Sequence, residues 1–256
     1  MCGRFVSSTP PDQLAQYFEV DEMPEQLLER GPNYNTAPTT EVLVVRSDGS
    51  TRRLDAFRWG LVPSWAKDVS VGNRMINARA ETVATKNAYR NALKRRRCII
   101  PADGFYEWTT QPGSKKKQPY FIHRPDGEPF AFAGLWEVWK GPKDKKAPSE
   151  GEEQLPPAEP LRSCTIITTS ANEKMSELHD RMPVILPRSA WDEWLSADVD
   201  DTELLGRLLV PAPSELIAFH PVSTEVNSVR NKGEQLIEPA PLDPEPVDDQ
   251  LPLNSA

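Results

Sequence analysis

The chain has 256 residues, with 30 Lys and Arg against 38 Asp and Glu for a net charge of −8, and 38% of it is apolar. That length suits one large domain or two small ones and can bury a sizeable core, and the composition is that of a folded chain rather than a disordered one. No run approaches the roughly 18 apolar residues of a membrane-spanning helix, the opening MCGRFVSSTP lacks the apolar segment of a secretory signal, and Cys2, Cys98 and Cys164 form neither a disulfide framework nor a C-x-x-C pair.

A reducing cytoplasm is therefore the expected setting, with no metal, no cofactor and no membrane. The acidity is concentrated: from Glu234 onward there are six acids and no base, so residues 1–233 carry a net charge of only −2. A near-neutral body leaves room for a polyanionic partner, because a local basic groove can dominate encounter.

In chain order, Thr9-Pro10-Pro11-Asp12 predicts an N-cap and a short helix through Phe18. Glu41–Arg46 and Arg53–Trp59 are β-rich runs joined by Ser47-Asp48-Gly49-Ser50, a hairpin signal. Ala88–Arg95 reads as a helix. Cys98–Ile100, Gly104–Thr109, Tyr120–His123, Phe130–Trp136 and Ser163–Thr168 read as strands, and Asn172–Leu178, Ser189–Leu195 and Thr202–Leu209 as helices. Residues 140–160, with five prolines and a basic-then-acidic run, predict an exposed insertion. Five prolines among the last 18 residues predict a disordered acidic tail from Pro239 onward. Hairpin-linked strands with interspersed helices argue for one α+β domain, 1–238, on a largely antiparallel, curved or barrel-like sheet.

Several residues carry chemistry. Once Met1 is removed, Cys2 would offer an α-amine and a thiol on adjacent carbons. An α-amine has a pKa of about 7.7–8.0 against about 10.4 for lysine, so it attacks an aldehyde readily, and the thiol can then close a thiazolidine ring. Cys2 could equally be a small buried hydrophobe at the start of a strand. If Cys2–Val6 is a strand, Cys2 and Arg4 share one face, as do Asn77 and Arg79 in Met75–Arg79. Glu107 lies inside an aromatic strand, where a carboxylate is costly to bury unless paired or protonated; it reads either as a general acid or as a surface or salt-bridged residue. His179 follows a predicted helix, as a catalytic loop residue or as a helix C-terminal cap. Arg58-Trp59, Trp65, Arg74, Arg79, Arg90 and the run Lys94–Arg97 mix cations with aromatics, as a single-stranded nucleic-acid groove does, although such a basic run is also an ordinary solvated helix end.

Taken in order, Met1-Cys2-Gly3-Arg4, Asn33–Pro38, Arg58–Trp65, Asn77–Thr82, Pro101–Trp108, Phe132–Trp136, Thr165–Thr169 and His179–Pro183 resemble the SRAP (SOS-response-associated peptidase) family from residue 2 to about 238. The resemblance implies a sensor of abasic sites in single-stranded DNA that crosslinks Cys2 to the ring-opened sugar aldehyde and shields the lesion. Position by position, it implies that Cys2 is the nucleophile, that Asn77 orients cysteine and sugar, that Glu107 protonates the sugar ring oxygen, and that His179 moves protons around the Schiff base. It further implies phosphate contacts by Arg4, Arg79 and Arg181, with Asn35, Pro38 and Trp65 in the DNA cleft. The family name adds a peptidase activity, including removal of Met1, and the chain is expected to act as a monomer. Two other readings stay open: an N-terminal-nucleophile amidohydrolase of the glutamine amidotransferase kind, which also begins Met-Cys-Gly, and a non-enzymatic binder of single-stranded nucleic acid.

Overall fold

The computed structural model describes residues 2–110, 116–142 and 159–241. Its strands are β1 (Phe5–Ser7), β2 (Asn33–Thr36), β3 (Glu41–Asp48), β4 (Thr51–Trp59), β5 (Asn77–Arg79) and β6 (Arg97–Ala102). They continue with β7 (Gly104–Thr110), β8 (Lys117–His123), β9 (Phe130–Trp139), β10 (Leu161–Ser170), β11 (Arg181–Pro183) and β12 (Ala218–Pro221). The helices are short: α1 (Pro11–Tyr17), α2 (Ala80–Val83), α3 (Arg90–Arg95), α4 (Glu173–Ser176), α5 (Trp191–Leu195) and α6 (Thr202–Arg207).

The strands form two sheets. In one, β4, β3, β6, β9 and β10 pair in sequence, and β10 then returns to β4, closing a barrel. Closure removes the exposed edges that an open sheet leaves. Every pairing in the ring is antiparallel except β10 on β4, where Ser163 and Cys164 run alongside Arg58 and Trp59. The long β10 continues past β4, taking β5 in parallel (Ile166 opposite Asn77) and β11 antiparallel. The second sheet runs β12-β8-β7-β1-β2. This is the expected α+β class on a largely antiparallel, barrel-forming sheet.

Both faces of the barrel wall are covered. Along β9, Phe130 and Phe132 pack with Phe5, Trp59 and Phe105, whereas Ala131, Ala133 and Leu135 pack with Leu14, Leu93 and Trp194 from the helices. Two-sided burial explains why β6 and β9 read as continuous apolar runs rather than alternating ones.

Local departures from the expected elements have identifiable causes. Thr9 does not cap α1: its hydroxyl donates to Asp103 and the N-cap is Pro10. The strand expected over Cys2–Val6 starts only at Phe5, so Cys2 and Arg4 escape strand alternation. The basic run is not a solvated face throughout. Arg97 is 3% exposed, and its guanidinium donates to the carbonyls of Leu93, Lys94, Trp194 and Ser196, tying the end of α3 to α5, while Arg96 pairs with Glu137. Of the expected insertion, residues 143–158 lie outside the described residues, as do 242–256 of the tail. At the start of that tail, Pro239 bridges to Val222 and Ala240 donates to Pro221 O.

Candidate active site

Cys2 sits just before β1, fully buried, within the cluster that holds Phe5, Trp59, Ile166 and Met182. Two strands frame it. On one side Asn77 opens β5, and its Nδ2 donates to the Cys2 carbonyl oxygen at 2.8 Å. The Asn77 Oδ1 atom is itself buried and makes no hydrogen bond, so the side chain keeps an acceptor in reserve. On the other side, β1 pairs with β7 (Phe5 opposite Phe105), and the Tyr106 N–H donates to Arg4 O at 3.0 Å. This places the buried carboxylate of Glu107 next to Cys2. Burial pushes the Cys2 thiol well above its ordinary value, and the negative charge of Glu107 pushes it further the same way.

His179 follows α4, with its backbone N–H on Met175 O. Its Nδ1 lies 3.0 Å from the Arg181 backbone nitrogen and 2.8 Å from Asp180 Oδ1, so the ring is held in place from that side.

Two open clefts flank Cys2. One, of about 440 Å³, is lined by Arg4, Glu107, Trp108, Lys117, His179 and Asn227. The other, of about 370 Å³, is lined by Arg74, Ile76, Asn77, Arg79, Thr82, Lys86 and Tyr89. The first brings Glu107 and His179 together, the second holds Asn77, and between them they add five cations, so a chain of net charge −8 presents a locally basic surface at this site.

The cations are not equivalent. Arg79 is exposed. Arg4 is held by Asn35 Oδ1 (2.7 Å) and Val226 O (2.9 Å), and its guanidinium lies 5.7 Å from the centre of the Trp108 ring. Arg181 presents both terminal nitrogens to Glu81, at 2.5 and 3.0 Å, and Nη2 also reaches Thr168 O. That pair holds the Glu81 carboxyl below its ordinary value. The remaining expected cleft residues differ in placement. Asn35 is fully buried. Pro38 is half-buried on a turn whose next residue, Thr39, has a φ of 71°, a strained conformation for a β-branched side chain. Trp65 is 56% exposed on a loop pinned by Val62 N to Ser163 Oγ (2.8 Å) and Trp139 Nε1 to Ala66 O (2.8 Å). Neither Pro38 nor Trp65 is among the residues lining the two clefts.

Sequence reasoning assigned no role to Trp108, Lys117, Asn227, Lys86 or Tyr89, all of which line the clefts. It also gave Arg58 no individual role, although its guanidinium joins the Pro38 turn (Thr39 O, 2.9 Å) to the Trp65 excursion (Asn73 Oδ1, 2.9 Å). The available signal was adjacency, since Trp108 follows Glu107 and Arg58 precedes Trp59. Among the described residues, no group of three or more His, Cys, Asp and Glu side chains could hold a metal ion.

A closed barrel with a second sheet across it defines a fold shared with solved structures. One, of a protein from Bacteroides thetaiotaomicron, matches with a TM-score of 0.78 at 22% identity, covering 93% of this chain and 100% of that one. Another, from Bordetella bronchiseptica, gives 0.68 at 24% identity over 87% of this chain and 100% of that one. The family model for SOS response associated peptidase (SRAP) matches residues 1–229. The chain is 44% identical to the abasic site processing protein YoqW of Bacillus subtilis (strain 168), over 93% of this chain and 99% of that one. It is 36% identical to the abasic site processing protein HMCES of Gallus gallus, over 94% and 79%. With YedK of Escherichia coli (strain K12), another abasic site processing protein, the identity is 33% over 93% and 100%. The chain belongs to the SRAP family.

Proposed function

We propose that this protein captures abasic sites in single-stranded DNA by forming a covalent adduct through Cys2, after Met1 has been removed at the same site. The Cys2 amine adds to the C1′ aldehyde of the ring-opened sugar, and loss of water gives an imine. The thiol then adds across the C=N bond: sulfur bonds to carbon and the thiol proton passes to nitrogen, closing a thiazolidine. Glu107 donates a proton to the ring oxygen during opening, His179 exchanges protons with the departing water, and Asn77 orients the Cys2 main chain. Arg79, Arg4 and Lys117 attract the phosphates, and the lesion is shielded while the adduct lasts. The protein acts as a monomer in the cytoplasm, with DNA as its partner and no metal or cofactor. No helix among the described residues is long and apolar enough to cross a membrane.

One observation carries this reading over thiolate catalysis: the Cys2 thiol is fully buried and pushed upward by burial and by Glu107. A cysteine that attacks amides as a thiolate needs a lowered pKa and a cationic neighbour. An amine-first mechanism needs the opposite, a thiol that stays protonated until the imine has formed.

The test is the intact mass of the purified protein, with and without a single strand bearing one abasic site. The expected result is loss of Met1 and, with the lesion, a species equal to protein plus DNA minus one water, absent from Cys2→Ala. An uncleaved Met1 together with an adduct would overturn the reading. Steady release of ammonia from glutamine without any adduct would instead support the amidohydrolase.

A further inference from the structure

Asn35 is fully buried, and both polar atoms of its side chain are bonded beside Arg4, which lines the Glu107–His179 cleft. Its Nδ2 donates to three carbonyls of one surface loop: Val226 O at 3.2 Å, Ser228 O at 3.0 Å and Asn231 O at 3.0 Å. Two amide hydrogens are thus shared across three acceptors, enough to fix the path of residues 226–231. Its Oδ1 accepts from Arg4 Nη1, and the same Arg4 nitrogen donates to Val226 O, so arginine and loop are locked through one residue. Lys232 Nζ closes the arrangement on the Asn35 carbonyl oxygen.

The loop in turn holds a wall of the cleft. Asn227 Oδ1 accepts the Trp108 Nε1–H at 2.7 Å, which sets the indole over which the Arg4 guanidinium lies. We infer that Asn35 is a positioning residue: it sets Arg4, Trp108 and Asn227 for the DNA while touching no nucleotide. This rests on the proposed function and adds a specific dependence to it.

Salt dependence separates positioning from contact. Asn35→Ala exchanges one neutral side chain for another, so losing a direct hydrogen bond to DNA, or a little stability, leaves the slope of log affinity against log salt unchanged. If Asn35 acts through Arg4, the slope flattens by the value of one phosphate contact, about 0.7 for a single strand. The measurement uses full-length protein and a single strand carrying tetrahydrofuran, a ring-closed abasic analogue without an aldehyde, at 50–200 mM salt.

Asn35→Ala is expected to flatten the slope by about 0.7, Arg4→Gln to do the same, and the double variant to do no more than either. An unchanged slope in Asn35→Ala, or additive slopes in the double variant, overturns the inference. Should Asn35→Ala fail to fold, Asn231→Ala carries the same test, because it removes the loop's own bond to Glu225 O (2.8 Å) without touching the core; it must flatten the slope in the same sense. If the wild-type protein forms no adduct with true abasic DNA, the proposed function fails, whatever these slopes are.

Discussion

Replacing Arg79 with glutamine tests whether the cleft beside Asn77 is a path for the DNA backbone. Arg79 is exposed at the end of β5, as the N-cap of α2, and lines the 370 Å³ cleft, whereas Arg181 has both terminal nitrogens on Glu81 and only 13% of its side chain exposed. Arg79 can thus exchange solvent for a phosphate without giving up a bidentate pair of the kind that holds Arg181. One phosphate contact on a single strand contributes about 0.7 to the log–log salt slope. Between 50 and 200 mM salt, a fourfold change, each such contact corresponds to a factor of about 2.6 in affinity. The loss caused by Arg79→Gln should therefore be about 2.6 times greater at 50 mM than at 200 mM. Fluorescence anisotropy with a tetrahydrofuran-containing strand measures this without interference from covalent capture, and circular dichroism checks that the fold is intact. Parallel salt lines for variant and wild type would refute the placement of Arg79 on the backbone path.

Three other perturbations read out different parts of the same frame. Arg181→Gln strips Glu81 of its partner and should cost about 1 kcal/mol, a half-exposed ion pair being weaker than a buried one, which lowers Tm by about 2–4 °C. Because the Glu81 carboxyl is held below its ordinary value of 4.5, the difference from wild type should be fully present above that pH and shrink in acid; a pH-independent difference would be inconsistent with the pairing. Gly60→Ala places a methyl 2.6 Å from Gly72 O at a φ of +124°. It should cost at least about 2 kcal/mol through overpacking and backbone strain and weaken DNA binding through the displaced Trp65 loop; a wild-type melting curve would contradict the close approach. For Cys2, the raised folded-state pKa means that its contribution to stability is present below its ordinary value of 9.0 and is lost as the pH rises above it. Native protein should accordingly resist iodoacetamide at Cys2 near pH 8, and rapid native alkylation would remove the argument for a protonated thiol.

What could be read from the residues depended on whether local chemistry or pairing decided the outcome. The β3–β4 hairpin was legible because Gly49 supplies the positive φ its turn requires, here 65°. Strands β2 and β12 were not legible: Asn33–Thr36 and Ala218–Pro221 carry no strong strand preference and are extended because β1 and β8 bond to them. The adjacency of Asn77 to Cys2 depends on β5 lying along β10, a pairing between residues far apart in the chain that periodicity cannot reveal. Arg97 misled in a different way. A charge at a helix end normally faces water, and its burial is made tolerable by the carbonyls of Leu93 and Lys94 together with those of Trp194 and Ser196, about a hundred residues away.

The site divides its electrostatics by depth, and this division favours chemistry led by the amine. Five cations line the two clefts, where they can draw in a polyanion, while the buried thiol feels the carboxylate of Glu107 more strongly than the positive chain terminus. A thiolate hydrolase would place its positive charge at the sulfur. In the proposed capture, a sulfur kept neutral by burial leaves the first bond to the sugar aldehyde to nitrogen, and imine formation then brings an electrophilic carbon within reach of the thiol. At that point the Glu107 carboxylate, which raises the thiol's pKa in the resting state, can relay the thiol proton to the imine nitrogen as the ring closes. One residue would thus delay the sulfur before capture and assist it afterwards. Glu107→Gln should therefore slow both steps it serves: less imine would be trapped by borohydride at early times, and a smaller fraction of that imine would convert to the denaturation-resistant ring than in wild type.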